Sequence, residues 1–350
     1  MKPSWVRKSV RTLKAYTPGE QLRRAGLVKL NTNENPYPPS PKVAEALAAL
    51  AVRNLRLYPD PLCRDLRKII ADLHGVAPDQ VFAGNGSDEI LALCTRAFVE
   101  DDGTIGYFEP SYSLYPVLAA IRNVRGVGME LDEGFGWPSP GPGPGSLFFL
   151  ANPNAPTSNL FPKGVVEAFC REYPGVVLID EAYVDFAAVN GMDLAGKLPN
   201  VLVMRTLSKS YSMAGIRLGY VVGSAGLIGA LFKIKDSYNV DRVTQAVAAA
   251  ALSDQPHMRR NVECILATRE RLSKALERRG FFVQKSETNF LWVRPGAGAA
   301  VELFAELKKR GVLVRHFPGR RTGDFLRITV GSDDEVDKLL NALQAAGAAF

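Results

Sequence analysis

The strongest constraint on how this chain folds is a train of short apolar runs that alternates with helical patterns from about Leu55 to Gly223. The runs are VFAG (81–84), TIGYFE (104–109), GVGMEL (126–131), LFFL (147–150), VVLID (176–180), VLVMR (201–205) and RLGYVVG (217–223). Several are apolar throughout. A strand with one wet face alternates in polarity, so an unbroken apolar strand must be covered on both faces. Helical patterns between many of the runs supply the cover. SDEILALCTRAFVED opens on Ser87 as a capping residue with acids in its first turn. KGVVEAFCREYPG stops at Pro-Gly. The seven runs therefore predict an α/β architecture, a largely parallel sheet of seven strands between helices.

Beyond Tyr238 the rhythm changes. A long helical stretch over 256–280 closes on a glycine, and FFVQ, TNFLWVR, a helix AAVELFAELKKRG, VLVR, FLRITVG and a last helix SDDEVDKLLNALQAAG follow. That is a smaller α+β unit. The expected division is an N-terminal arm with a segment of the small unit (1–45), a large domain (46–240) and a small C-terminal domain (241–350). A helix opens at Ser40 and Pro41. The loop WPSPGPGPGS (137–146) runs straight into an apolar strand, so it reads as an irregular loop within one domain.

Charge and cysteine usage exclude several classes. Lys and Arg number 43 against 36 Asp and Glu, a net +7 with no block of like charges, so no nucleic-acid face is predicted, while anionic small molecules suit the balance. Cys63, Cys94, Cys170 and Cys264 stand far apart without a CxxC, and His74, His257 and His316 are scattered. Neither a disulfide framework nor a metal site is expected. The first residues, MKPSWVRKSVRTLKAY, lack the apolar core of a secretory signal, and no apolar run reaches 18 residues. The cytoplasm is the expected location.

Three segments carry chemistry. GNGSDE (84–89) sets glycines and an Asn between a strand and a helix, a turn that offers backbone N–H groups and a helix dipole to a phosphate, though by itself it is also an ordinary strand-to-helix turn. In VVLIDEAYVDF (176–186), Asp180 ends an apolar strand where open α/β sheets bind ligands, and Tyr183 follows. With no histidine or acidic cluster beside it, Asp180 suits a cationic ring nitrogen better than a metal. RTLSKSYSMAGIR (205–217) gathers Lys209 with Thr206, Ser208 and Arg217. Burial lowers a lysine's pKa, and a neutral amine is what condensation with an aldehyde requires. Each segment alone also reads as a surface turn. Together they ask for a phosphate, a pyridine nitrogen and an aldehyde, the three handles of pyridoxal 5′-phosphate.

With those residues in view the chain resembles the fold-type I pyridoxal phosphate-dependent aminotransferases, and among them most closely the histidinol-phosphate aminotransferases. The resemblance rests on LNTNENPYPPSP (30–41), LYPDP (57–61), GNGSDE, EPSYSLY (109–115), NPNAPTS (152–158), DEAYVDF, RTLSKSYSMAGIR and FLRITVG, all in order along nearly the whole chain. It implies that Lys209 takes the cofactor's aldehyde, Asp180 pairs with its ring nitrogen, Tyr183 donates to its phenolic oxygen and Tyr112 stacks on its face. It implies phosphate contacts from the backbone around Gly86, Ser87 and Asp88 and from Thr206, Ser208 and Arg217. It also implies a homodimer in which Tyr58 reaches the neighbouring subunit's phosphate. Tyr16, Asn35, Arg315 and Arg327 fall on positions that bind substrate. One departure stands out: the common NPNNPTG has an Asn before Pro-Thr that touches the phenolic oxygen, whereas this chain has Ala155 there and Ser158 in place of the glycine. Asn154 or Asn152 is the expected substitute. The implied reaction is transamination between histidinol phosphate and 2-oxoglutarate. Aromatic amino-acid transamination and threonine-phosphate decarboxylation are the alternatives on the same scaffold.

Overall fold

The computed structural model describes residues 5–17, 19–22, 26–139, 141, 143–296 and 300–347. Part of the 137–146 loop, at 140 and 142, therefore lies outside the described residues.

Each of the seven runs becomes a strand of one sheet: β2 (Val81–Gly84), β3 (Thr104–Glu109), β4 (Arg125–Glu130), β5 (Leu147–Ala151), β6 (Val176–Asp180), β7 (Val201–Thr206) and β8 (Gly219–Gly223). Their order is β2-β8-β7-β6-β5-β3-β4, all parallel except β8, which runs against both β2 and β7. The register explains the unbroken apolar runs. Phe148, Ile179 and Val203 feed a core on one face, and Phe149, Leu178 and Leu202 feed another on the opposite face. The edge strand β4 is exposed at alternate positions, as a strand with one wet side must be. Because the parallel strands end on the same side, Ala151 pairs in register with Asp180, with Thr206 at the end of the next strand.

The C-terminal part builds an antiparallel sheet, β12 (Arg315–His316), β13 (Leu326–Thr329), β10 (Phe290–Arg294) and β9 (Phe282–Val283) in that spatial order. A short parallel pair joins β1 (Val28–Lys29) to β11 (Val312–Leu313), and the Thr329 N–H donates to the Leu30 carbonyl. Val28 and Leu30 thus share a core with Leu291, Ile328 and Leu339. The last helix, Asp333–Ala345, starts on a capping box: Ser332 accepts from the Glu335 N–H and the Glu335 side chain accepts from the Ser332 N–H. The consequence for the site is that the chain just after β1 is carried by the C-terminal sheet yet crosses to the carboxyl ends of the large one.

Candidate active site

The first wall forms where β2 meets the helix Ser87–Phe98. Gly86, not Ser87, is the N-cap; Ser87 is the first helical residue, and the cap has φ 80° with no side-chain hydrogen bond. A side chain there would be strained at that φ and would push Arg217 aside, since a Cβ would lie 2.6 Å from one of its terminal nitrogens. Gly219 has a matching role, because a Cβ on it would stand 2.6 Å from the Ser87 nitrogen. Two adjacent acids at a phosphate cradle pose an electrostatic problem. Glu89 is spent on the Asn85 N–H and the Asn239 amide, at 2.5 and 3.0 Å. Asp88 accepts from the Tyr112 hydroxyl at 3.2 Å and from Arg217 at 3.4 Å.

The opposite side of the cradle is the loop between β7 and β8. The Thr206 hydroxyl stands 3.0 Å from both Ser208 Oγ and the Leu218 carbonyl, and Arg217 reaches Ser208 Oγ at 3.4 Å. Arg217 itself is left-handed, φ 59°. A non-glycine residue holds that conformation only where its surroundings over-determine it, and here it turns the guanidinium back over Gly86.

Lys209 Nζ donates to the Thr32 carbonyl at 3.2 Å and lies 5.7 Å from the centre of the Tyr183 ring. Burial pushes the amine down to about 8, the charges of Arg327 and Arg217 act in the same sense, and Glu34 opposes them. Burial also pushes Glu34 up, but hydrogen bonds from Lys29 and Thr32 and the charges of Lys29 and Lys209 outweigh it, so its carboxyl ends below the ordinary range. Asp180 is buried and raised to about 6 for that reason, against hydrogen bonds from the Tyr115 hydroxyl (2.9 Å) and the Ala182 N–H (3.1 Å). Tyr115 is fully buried and stacks on Phe149, so the donor cannot swing away. The neighbouring Glu181 points to the other side, where Arg205 pairs with it at 2.8 Å. Strand alternation therefore gives the pocket one carboxylate of the two.

The third wall comes from the C-terminal sheet and the N-terminal segment. Arg327 lies 5.2 Å from the ring centres of both Phe290 and Phe317 and donates to the Asn31 carbonyl at 3.0 Å. Its Nε is buried without a partner among the described residues. Arg315 donates to the Thr17 carbonyl at 2.8 Å, and Tyr16 meets Tyr112 edge-on.

One cavity gathers Lys209, Asp180, Tyr183, Tyr112 and Arg217 with the Thr206 and Ser208 hydroxyls, and Tyr16, Arg315 and Arg327 line it too. Five expected residues fall outside its lining, Gly86 at the turn of the cradle among them. Asn35 gives its amide to the carbonyls of Lys209 and Ser210, both at 3.1 Å, so it holds the lysine's backbone and does not face the cavity. Asn154 is consumed by Ser111, the Pro110 carbonyl and Thr157, and Asn152 accepts from the Phe161 N–H. Neither replaces the missing amide, and Ala155 presents only a methyl to the cavity. Tyr58 is 75% exposed and stacks on Tyr238. Asn33, Glu34 and Phe317 also line the cavity, and Tyr115 donates to Asp180, without having been expected there. The motif LNTNENP held the signal for the first two, since five consecutive polar side chains, Asn31 to Asn35, were there to be weighed.

These residues fit pyridoxal phosphate. The bare backbone at Gly86, the guanidinium over it and the hydroxyls of Thr206 and Ser208 make an anion cradle. Asp180 is a buried carboxylate lacking a cationic partner among the described residues, and Lys209 is an amine whose pKa burial lowers to about 8. Among the described residues no group of three or more His, Cys, Asp or Glu side chains is placed to hold a metal ion, and no helix is long and apolar enough to cross a membrane.

Comparison with known proteins agrees. The model of the family "Aminotransferase class I and II" matches residues 25–343, and the chain belongs to that family. More particularly, it is 45% identical over 343 residues to the histidinol-phosphate aminotransferase of Chromohalobacter salexigens, covering 96% of this chain and 97% of that one. It is 42% identical over 342 residues to the protein of the same name from Microcystis aeruginosa, covering 97% of each. The fold matches the crystal structure of histidinol-phosphate aminotransferase from Sinorhizobium meliloti in complex with pyridoxal-5′-phosphate, with a TM-score of 0.85 at 24% identity over 98% of this chain and 99% of that one. A putative aminotransferase from Burkholderia pseudomallei gives a TM-score of 0.79 at 28% identity over 93% and 99%.

Proposed function

We propose that the protein is a homodimeric, pyridoxal phosphate-dependent aminotransferase that interconverts histidinol phosphate and 2-oxoglutarate with imidazole-acetol phosphate and glutamate, in histidine biosynthesis in the cytoplasm. The observation that carries this reading is one cavity holding a buried amine of lowered pKa, Lys209, together with two guanidiniums, Arg315 and Arg327, beyond the one at the anion cradle. The names of the relatives support the substrate.

In this reading the backbone at Gly86, Ser87 and Asp88 with Thr206, Ser208 and Arg217 holds the cofactor phosphate. Asp180 faces the ring nitrogen, Tyr183 the phenolic oxygen, Tyr112 the ring face and Lys209 the aldehyde. When bound, pyridoxal phosphate supplies an electron sink for the pair of electrons left at the substrate's α-carbon. The chain's own residues do the rest. Lys209 Nζ, its pKa lowered to about 8, takes the α-proton in its neutral form and later returns a proton, a general acid–base role worth about 10²–10⁴-fold. Asp180, anchored on both oxygens, holds its charge against a cationic nitrogen that cancels its burial cost. Arg327 and Arg315 bind the anionic end of either substrate, because a guanidinium fork accepts the phosphate of histidinol phosphate and the carboxylate of glutamate alike. Tyr58 projects from its own subunit to the partner's phosphate site. The large domain of this reading spans 46–240, the small one 241–350, and the arm 1–45 contributes Tyr16.

Single-turnover kinetics with histidinol phosphate, phenylalanine and threonine phosphate test the assignment. A rate constant per unit concentration at least tenfold higher for histidinol phosphate is expected. Comparable values for phenylalanine, or carbon dioxide release from threonine phosphate, would overturn it.

A further inference from the structure

Ala155 leaves the cavity wall beside Tyr183 without an amide, and the amides of Asn152 and Asn154 are engaged elsewhere. Another amide does meet Tyr183. Asn33 Nδ2 lies 2.9 Å from the Tyr183 hydroxyl, and Asn33 also lines the cavity.

The orientation of that amide is determined by its other contacts. The Thr329 hydroxyl accepts from the Asn33 backbone N–H at 3.0 Å, so its proton is free to go to Asn33 Oδ1, also at 3.0 Å. With Oδ1 an acceptor, Nδ2 must be the atom facing Tyr183. The backbone is pinned as well. The Asn289 amide donates to the Asn33 carbonyl at 3.1 Å, and Asn33 sits at φ 56°, a left-handed conformation that Asn tolerates better than most residues. Asn33, Thr329 and Asn289 are all buried.

A phenol has one proton and two lone pairs. Once a lone pair is taken by a committed donor, the proton must leave in another direction, and the buried wall leaves the cavity as that direction. We propose that Asn33, oriented by Thr329, is a positioning residue that makes Tyr183 a committed hydrogen-bond donor to the cofactor's phenolic oxygen, the work that no amide at position 155 performs in this chain. The inference rests on the proposed cofactor site. Its physical consequence is specific. A donor to the phenolic oxygen makes that oxygen less basic, and so lowers the pH at which the near-visible band of the lysine-bound cofactor titrates. Burial raises the Tyr183 phenol above its ordinary range, and the Asn33 bond, like the charge of Arg327, works against that rise.

The test is a pH titration of the near-visible absorbance of the holoenzyme in a double-mutant cycle. Asn33→Gly is the variant of choice, because glycine accepts φ 56° without strain and alanine does not. The expected midpoint rises by about half to one pH unit, the effect of one neutral hydrogen bond. Tyr183→Phe raises it further, and Asn33→Gly adds nothing in the Tyr183→Phe background. Thr329→Val, which frees the amide to flip, raises the midpoint in the same direction and covers the case in which Asn33→Gly does not fold. A midpoint unmoved by both single changes, or moved equally with and without Tyr183, overturns the proposal. Absence of any near-visible band in the unmodified protein would instead sink the cofactor assignment itself, so the two failures are distinguishable.

Discussion

Gly86→Ala puts the anion cradle to a quantitative test. The added Cβ would lie 2.6 Å from one terminal nitrogen of Arg217 and 3.1 Å from its central carbon. The first is shorter than real Cβ contacts and the second is tight, and the backbone at φ 80° cannot turn to relieve them without moving the helix start. The guanidinium is therefore the part that yields. Two costs follow, and they are separable. The strain of a left-handed alanine, about 1–2 kcal/mol, weakens the fold whether or not a ligand is bound. The retreat of Arg217 removes a charge-assisted hydrogen bond, about 1.5–3 kcal/mol, only when a phosphate is there to receive it. The second term converts to a loss of about 10–150-fold in cofactor affinity. The assay is a spectroscopic titration of the cofactor-free protein with pyridoxal phosphate and, in parallel, with pyridoxal, which lacks the phosphate. Gly86→Ala is expected to weaken the first by that factor and the second by less than threefold. Gly215→Ala is the control, because a Cβ there meets nothing within 4 Å. Equal losses for both ligands, or no loss for either, would refute the argument that Gly86 and Arg217 form a phosphate site.

Further outcomes follow from the same geometry. Asp180 in the cofactor-free protein is raised by burial to about 6, so the native state keeps a proton that the unfolded chain releases near pH 4. That contribution is full below about pH 4 and lost as the pH rises through 6, so Asp180→Asn should stabilise the cofactor-free protein at pH 7 by roughly 3 kcal/mol at most, with the gain vanishing near pH 4, while turnover falls about 10²–10⁴-fold; chemical denaturation at several pH values reads the first part and steady-state kinetics the second. Glu34 supports the charged form of Lys209, so Glu34→Gln should move the pH midpoint for capture of pyridoxal phosphate by the cofactor-free protein below its expected value of about 8; an unchanged or higher midpoint contradicts the pairing. If Tyr58 serves the partner's site, Tyr58→Phe weakens cofactor retention, and exchanging its subunits with those of Lys209→Ala rebuilds one complete site per mixed dimer and restores activity; a mixture that stays inactive rules the arrangement out.

The sequence made the large sheet legible because burial on both faces leaves a mark that periodicity can read. Leu178 and Ile179 go to opposite cores, so both must be apolar. It could not show that β8 runs antiparallel, since an apolar run carries no direction. Lys209, Asp180 and Arg217 were legible from residue type and position, whereas Arg315 and Arg327 came from the resemblance. The asparagines were not. Asn33 and Asn35 are two apart and would share a face of a regular strand, but φ 56° at Asn33 breaks the alternation, so one amide meets Tyr183 and the other the Lys209 backbone. Asn154 sat nearest the missing position in sequence, yet Thr157 in its own loop and Pro110 and Ser111 after β3 absorb its amide. Nothing in EPSYSLY singled out Tyr115, whose hydroxyl announces a role only once Asp180 is found 2.9 Å away.

The central claim, that Lys209 carries pyridoxal phosphate in this cavity, is tested most directly by one absorbance measurement on the purified protein and on Lys209→Ala, each incubated with excess cofactor and then freed of the unbound portion. The account predicts a near-visible band in the unmodified protein that histidinol phosphate displaces, and no such band in Lys209→Ala. A protein that stays colourless with cofactor, or a Lys209→Ala variant with an unchanged band, would contradict it.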